Sequence, residues 1–216
     1  MTKTELMTAM QARRLVAVIR SRTAEEALAT ARAVGEAGVR FVEVTFSVPG
    51  AAEVIRTLAG EGEVHVGAGT VLSEEQARTG IEAGARFIVS PSLELDLVPL
   101  CREAGVASIP AGATPTELVQ ALRAGADLVK IFPADCVGGP HFIRQMLGPF
   151  PDARFMVSGG VNKDNVAEYA TLGVTGIVLG SAFLADVLAR EGHAGLVAKA
   201  REFVTLVDDA LGAAAA

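Results

Sequence analysis

The chain has 216 residues, of which 50% are hydrophobic and 20% charged, as in a compact globular protein with one sizeable core. A formal net charge of −6 argues against a nucleic-acid or anionic-membrane surface as a partner. No apolar run reaches the roughly 18 residues of a membrane span, and the N-terminal segment lacks the apolar centre of a signal peptide. We therefore expect a cytoplasmic protein, with residues 1–216 forming a single domain.

The predicted elements begin with a helix over residues 3–13, after which strands and helices alternate. Several helix starts carry Ser or Thr followed three residues later by Glu or Gln, the pattern of a capping box; these starts are Thr23, Ser73 and Thr114. Five glycines fit the left-handed position just past a helix end: Gly38, Gly84, Gly105, Gly125 and Gly173. Eight apolar runs read as strands, beginning near residues 15, 41, 64, 86, 106, 127, 154 and 175.

Strands that alternate with helices and are apolar on both faces predict a parallel sheet with right-handed crossovers. Eight regular units without a linker favour a closed (β/α)₈ TIM barrel in the α/β class, near the small end of its range at roughly 200 residues. The extra N-terminal helix would then plug the barrel floor, and we expect the tail GAAAA (212–216) to fray. A doubly wound open sheet is the alternative, but the segment VIRSRTAEEA after the first strand contains no glycine-rich dinucleotide turn.

Chemistry in such a barrel collects at the C-terminal ends of the strands. The polar residues at these ends are Arg20, Glu43, Thr45, Thr70, Ser90, Lys130, Ser158 and Ser181. Two of them interrupt apolar strands, Glu43 in FVEVTF and Lys130 in LVKIF. A buried ion pair that only fixes the fold is one interpretation of this pattern, although such pairs are weak evidence for stability.

The other interpretation is catalytic. Apolar surroundings disfavour the charged form of a lysine, and a neutral amine that faces a ketone forms a Schiff base, an electron sink for carbon–carbon cleavage. A neighbouring carboxylate would shuttle the protons of that reaction. Lys130 is the candidate nucleophile, and Glu43 is the candidate acid and base.

Glycines after the last two predicted strands indicate a phosphate site. SGG (158–160) and GS (180–181) lie where barrels of this type often bind phosphate, because backbone N–H groups there can approach the oxygens. Glycines also occur in tight turns for geometry alone, and that alternative remains for each loop.

The three histidines and two cysteines show no metal-ligand spacing, so we expect neither a metal nor a cofactor.

The segments VAVIR, GVRFVEVTF, VGAGTVLS, FIVSP, TPTELVQAL, LVKIFPA, GPFP, SGGV and LGSAF follow one another from residue 16 to residue 183. In this order they resemble the bacterial 2-dehydro-3-deoxy-phosphogluconate aldolases, the KDPG/KHG aldolase family. The resemblance implies a metal-free class I aldolase, often a homotrimer of (β/α)₈ barrels, in Entner–Doudoroff-type sugar acid breakdown. It would cleave 2-keto-3-deoxy-6-phosphogluconate to pyruvate and glyceraldehyde 3-phosphate.

The resemblance also assigns roles to residues. Lys130 would be the Schiff-base lysine, Glu43 the general acid and base, and Thr70 a ligand of the pyruvyl carboxylate. Phe132 and Pro91 would form the wall beside the pyruvyl methyl group. The residues expected to hold the phosphate are Gly159, Gly160, Gly180 and Ser181.

One position departs from the best-known branch of this family, in which an arginine follows the motif threonine by two positions and binds the substrate carboxylate. Here that position is Ser47, and a serine cannot make the bidentate charged contact. We expect Arg20, at the end of the neighbouring first strand, to reach the same carboxylate. The alternative is that Arg20 only pairs with an acid at the rim.

Other functions remain open from the sequence. The same lysine chemistry could act on the galactonate epimer or on 4-hydroxy-2-oxoglutarate. A phosphosugar isomerase or synthase barrel, in which Lys130 is only a charge, and a non-catalytic binding protein are more distant alternatives. The expected partners are a small phosphorylated keto acid and pyruvate.

Overall fold

The computed structural model describes residues 1–215 as a ring of parallel strands surrounded by helices. The strands are β1 (Leu15–Ile19), β2 (Phe41–Thr45), β3 (His65–Gly69), β4 (Phe87–Val89), β5 (Ala107–Ile109), β6 (Ala111–Gly112), β7 (Val129–Ile131), β8 (Phe155–Val157) and β9 (Gly176–Leu179). The helices are α1 (Lys3–Arg13), α2 (Ala24–Glu36), α3 (Ala51–Glu61), α4 (Glu74–Glu82), α5 (Leu97–Glu103), α6 (Pro115–Ala124), α7 (Gly139–Leu147), α8 (Val166–Thr171) and α9 (Ser181–Ala215), with a 3₁₀ turn at Asp135–Val137.

The strand order β5-β4-β3-β2-β1-β9-β8-β7-β6 confirms the predicted (β/α)₈ barrel. The fifth predicted strand differs from the expectation, because Pro110 divides it into β5, which pairs with β4, and β6, which pairs with β7. Proline has no N–H to continue a ladder. Closure continues across this break, since the carbonyls of Ser108 and Pro110 accept from Leu128 N and Lys130 N at 3.3 and 2.9 Å.

The hydrophobic core has two layers. Alternate side chains of the strands fill the barrel interior, and a larger cluster lies between the strands and the surrounding helices. Helix α1 packs Leu6, Met7 and Met10 into the interior cluster, as predicted for a floor plug. Its Lys3 also pairs with Asp127 at 2.8 Å, and Asp127 in turn accepts from Ser108 N at 2.9 Å. This leaves the opposite end of the barrel as the mouth.

Helix ends follow the sequence signals with one correction. The five predicted glycines all have positive φ, between 70° and 105°. Thr23, Ser73 and Thr114 accept from the backbone N–H three residues on, but the returning Glu or Gln accepts from the backbone N–H of the residue before the cap rather than from that of the cap. Glu117 also accepts from the Thr114 hydroxyl group at 2.8 Å. The complete capping box is at Thr2 and Glu5.

Helix α9 breaks at Gly192 and continues to Ala215 where a frayed tail was predicted; Ala216 lies outside the described residues.

Candidate active site

Lys130 and Glu43 face one another across the interior of the barrel. Lys130 is the central residue of β7 and Glu43 the central residue of β2, and both are buried, with 6% and 1% of their surfaces exposed. Lys130 Nζ lies 4.0 Å from Glu43 Oε1, which is longer than a direct hydrogen bond. The two strands therefore place an amine and a carboxylate close together inside an apolar barrel without locking them to each other.

The environment of Glu43 favours its protonated form. Burial raises the pKa of this carboxyl group, and the positive charges of Lys130 and then Arg20 offset that effect only in part. Its Oε2 atom has no hydrogen-bond partner among the described residues. A buried polar atom left without a partner costs about 1–3 kcal/mol, and a catalytic role is one of the reasons for which native proteins keep such an atom. Glu43 is thus placed to hold and release a proton.

Two glycines of β3 make room for this arrangement. A Cβ atom on Gly69 would overlap the carboxylate of Glu43, and one on Gly67 would overlap the ring of Phe87. Gly67 is the register partner of Glu43 on the adjacent strand. The motif VGAG is therefore set by packing inside the barrel, and Gly69 determines where the Glu43 carboxylate can lie.

Phe132 and Pro91 occupy loops at the mouth. Lys130 Nζ lies 5.1 Å from the centroid of the Phe132 ring, within cation–π range, and 38% of the Phe132 surface is exposed. Pro91 is half-buried in the loop after β4. A hydrogen bond connects this loop to β6, because Ser92 O accepts from Ala111 N. β6 is the strand beside β7, and Ala111 is the register partner of Lys130.

Arg20 lies at the mouth between the ends of β2 and β3. Its Nη1 atom donates to Ser47 Oγ at 2.9 Å and its Nη2 atom donates to Thr70 Oγ1 at 3.1 Å. Thr70 has a φ of 54°, a left-handed conformation that is uncommon for a β-branched residue and costs about 1–3 kcal/mol. Arg20 also lines an open groove of about 620 Å³ between the start of α2 and helix α9.

The glycines after β8 form a loop whose N–H groups are available. Gly159 and Gly160 have φ of 100° and 68°, and neither N–H donates a hydrogen bond within residues 1–215. The Gly160 carbonyl is fixed by the side-chain amides of Asn165 and Asn162, at 2.9 and 3.2 Å. Consecutive free N–H groups in positive-φ turns are typical of anion sites.

Gly180 and Ser181 lie after the next strand. Ser181 is the first residue of α9, and N–H groups in a first helical turn have no partner within the helix. β8 and β9 are neighbours in the barrel, so both glycine loops lie at the same sector of the mouth. The four residues predicted to bind phosphate therefore come from two adjacent strand ends.

Sequence reasoning missed three polar residues of this mouth. Asn162 and Asn165 fix the glycine loop, but asparagines are common in turns and gave no separate signal. The Asp135 side chain packs directly on Gly159 and Gly160, which the sequence did not indicate. Ser47 was noted only as a departure from the family pattern.

No group of three or more His, Cys, Asp or Glu side chains within residues 1–215 is arranged to hold a metal ion. None of the helices in that same range is both long enough and apolar enough to span a bilayer.

Comparison with known proteins gives a consistent result. A family model described as KDPG and KHG aldolase matches residues 6–199. The 2-dehydro-3-deoxy-phosphogluconate aldolase of Treponema pallidum is 40% identical over 162 residues, covering 74% of this chain and 77% of that protein.

Two solved structures are similar over nearly the whole chain. The 2-keto-3-deoxy-6-phosphogluconate aldolase of Zymomonas mobilis with 3-phosphoglycerate has a TM-score of 0.84 and 28% identity, covering 94% of this chain and 97% of that one. KDPG aldolase from Legionella pneumophila, with pyruvate captured as a covalent carbinolamine intermediate, has a TM-score of 0.77 and 28% identity, covering 93% and 95%. The chain therefore belongs to the KDPG and KHG aldolase family.

Proposed function

We propose that this protein is a class I aldolase that cleaves 2-keto-3-deoxy-6-phosphogluconate to pyruvate and glyceraldehyde 3-phosphate through an imine on Lys130. The observation that carries the proposal is the buried Lys130 amine, which lies 4.0 Å from the Glu43 carboxylate inside the barrel. The Legionella relative, captured with a pyruvate carbinolamine, supports the same chemistry here.

The Lys130 amine attacks the C2 carbonyl of the substrate, and a proton lost by the nitrogen goes to the carbonyl oxygen, so that a carbinolamine forms. Glu43, in its protonated form, gives a proton to the departing hydroxyl group, so that water leaves and an iminium ion remains. Glu43 is then a carboxylate and can act as a base.

The iminium ion accepts the electrons of the C3–C4 bond when the C4 hydroxyl group loses its proton to Glu43. The aldehyde leaves, and an enamine remains on Lys130. Glu43 returns its proton to C3, and addition of water to the resulting iminium ion releases pyruvate and restores the amine. One carboxylate in reach of the nitrogen serves each proton transfer in turn.

The remaining residues bind the two ends of the substrate. Arg20 and Thr70, which are hydrogen-bonded to each other, receive the C1 carboxylate. Phe132 and Pro91 border the pyruvyl methyl group, and the amine's contact with the Phe132 ring supports this placement. The phosphate is held by the N–H groups and hydroxyl of Gly159, Gly160, Gly180 and Ser181.

The proposal extends to the protein's organisation. Residues 1–216 would form one domain, and the family resemblance favours a homotrimer. The acidic composition favours a protein without nucleic-acid or anionic-membrane partners, and a cytoplasmic location is part of the same proposal. Light scattering on the purified chain measures the trimer directly.

A pyruvate-coupled assay tests the substrate. We expect the highest kcat/KM with 2-keto-3-deoxy-6-phosphogluconate, because both glycine loops are placed to bind its phosphate. The same chemistry on 4-hydroxy-2-oxoglutarate is the second candidate, favoured by a family model that covers both KDPG and KHG aldolases. The galactonate epimer is the third acid to be assayed. If none of the three acids yields pyruvate, an isomerase or synthase barrel becomes the better explanation.

A further inference from the structure

Two hydroxyl groups connect Arg20 to the barrel backbone. Arg20 Nη1 bonds Ser47 Oγ at 2.9 Å, Ser47 Oγ lies 2.8 Å from Thr45 Oγ1, and Thr45 Oγ1 lies 3.0 Å from the carbonyl oxygen of Ile19. Thr45 is fully buried at the end of β2, whereas Arg20 and Ser47 lie in the loops beyond β1 and β2. The chain of bonds therefore runs from the mouth to a fixed point of the barrel.

The number of hydroxyl hydrogens fixes the donor and the acceptor in each of these hydrogen bonds. A carbonyl oxygen only accepts, so Thr45 must use its single hydroxyl hydrogen to donate to Ile19. Thr45 Oγ1 can then only accept from Ser47, which uses the one hydrogen of Ser47. Ser47 Oγ is left as a pure acceptor, and guanidinium groups only donate. Arg20 is the donor that satisfies it.

The partners of Arg20 are neutral. Its guanidinium bonds two hydroxyl groups, on Ser47 and Thr70, and within residues 1–215 no carboxylate lies within ion-pair distance of it. Hydroxyl partners orient a guanidinium without neutralising it. Two of its five N–H groups are used in this way, and three remain for a ligand. This is the arrangement that a carboxylate-binding arginine requires, because the charge-assisted bonds are left for the ligand.

We propose that Ser47 is a positioning residue for substrate recognition: with Thr45 behind it, it holds the Arg20 guanidinium in the orientation that binds the keto acid carboxylate. This inference rests on the proposed function and deepens it. Arg20 would supply the positive charge, and Ser47 would fix the orientation of the guanidinium group. A serine at this position is then a working part of the site and not merely the absence of an arginine.

Steady-state kinetics on a double-mutant cycle tests the proposal. Ser47→Ala should raise KM for the keto acid roughly tenfold, the effect of losing one hydrogen bond to a charged group, with little change in kcat. Ser47→Thr keeps the hydroxyl and should restore most of the affinity. In an Arg20→Ala background, Ser47→Ala should add nothing further, because its effect passes through the guanidinium.

Controls separate this inference from loss of fold and from failure of the proposed function. Ser92→Ala removes another mouth-side loop hydroxyl, one that bonds Glu94, and should leave KM unchanged. Thermal unfolding of each variant measures stability independently. Borohydride trapping at saturating pyruvate should succeed in wild type and in Ser47→Ala alike.

Each remaining outcome decides against a specific claim. If wild type is not trapped on Lys130, the proposed function fails. If wild type is trapped but Ser47→Ala keeps a normal KM, or if the effects of Ser47→Ala and Arg20→Ala simply add, the positioning role of Ser47 is wrong while the imine chemistry stands.

Discussion

Glu43 illustrates, at the scale of one residue, how this barrel gives up stability for a reactive group. The side chain is 1% exposed, and one carboxylate oxygen has no hydrogen-bond partner among the described residues. Burial is the largest influence on its pKa and raises it from the ordinary value of 4.5. An ionised Glu43 therefore weakens the folded state, and its retention is explained by the proton transfers proposed for it.

Because burial raises the pKa of Glu43, the free energy of unfolding should depend on pH. Well below pH 4.5 the carboxyl group is protonated in both the folded and the unfolded chain and contributes no difference. As the pH rises from there towards the higher folded pKa, the unfolded chain loses its proton first, so the folded state loses stability. Glu43→Gln mimics the protonated group. We therefore expect the variant to gain stability relative to wild type as the pH is raised from 4 to 8.

Chemical denaturation of both proteins across this pH range measures the difference. The same variant should lose about 10²–10⁴-fold in kcat, the usual contribution of a general acid and base. A stability difference that is constant with pH would show that Glu43 is not held protonated by burial.

The residues that the sequence could identify were those that broke a pattern. Glu43 and Lys130 stood out because charged groups interrupt apolar strands, and the structure places them 4.0 Å apart. Asn162, Asn165 and Ser47 could not be identified in this way. Each is an ordinary polar residue in a loop, and its importance depends on a partner far away or on a backbone carbonyl that only the fold brings near.

At the scale of an element, two glycines of strand β3 have different roles: Gly67 serves core packing, and Gly69 makes room for the proposed acid and base. A Cβ on Gly67 would strike the Phe87 ring in the barrel core, whereas one on Gly69 would strike the Glu43 carboxylate. The two alanine substitutions are chemically identical and lie on the same face of one strand. Their effects should nevertheless differ.

We expect Gly67→Ala to cost about 1–3 kcal/mol of unfolding free energy through overpacking. Gly69→Ala should instead lower kcat by roughly 10²-fold, because a shift of about 1 Å in a catalytic group has effects of that size. Gly60→Ala is the matched control, since Gly60 lies in α3 with nothing near its Cβ position and should gain about 0.5–1 kcal/mol. Equal losses of activity in Gly67→Ala and Gly69→Ala would remove the assigned role of Gly69.

Elements were predictable where local signals repeat. The glycines at 38, 84, 105, 125 and 173 mark helix ends correctly, because positive φ is a local requirement. The division of the fifth strand at Pro110 was not predictable. Residues 111–112 are too few to show a period, and they form a strand only because β7 lies beside them.

At the scale of the whole molecule, the two ends of the barrel have different tasks. The floor is filled by α1, whose Leu6, Met7 and Met10 pack into the interior cluster, and is fastened by the Lys3–Asp127 ion pair. The mouth carries the strained Thr70 and the open glycine loops. The packing at the floor stabilises the fold and so offsets the free energy that the strained backbone at the mouth costs.

Met10→Ala tests this division. Met10 is fully buried, so its truncation should cost about 2–5 kcal/mol of unfolding free energy. The cavity lies at the floor, and KM and kcat at a temperature where the variant is folded should change little. A large fall in kcat with intact folding would mean that floor and mouth are coupled.

The central claim is that Lys130 forms an imine with the substrate ketone. Borohydride reduction of the protein in the presence of pyruvate, followed by peptide mass mapping, tests it most directly. We expect a stable pyruvate adduct on Lys130, no adduct in Lys130→Met, which keeps a buried apolar stem, and an unchanged adduct in the surface control Lys163→Ala. An unmodified Lys130, or an adduct on any other lysine, would contradict the account.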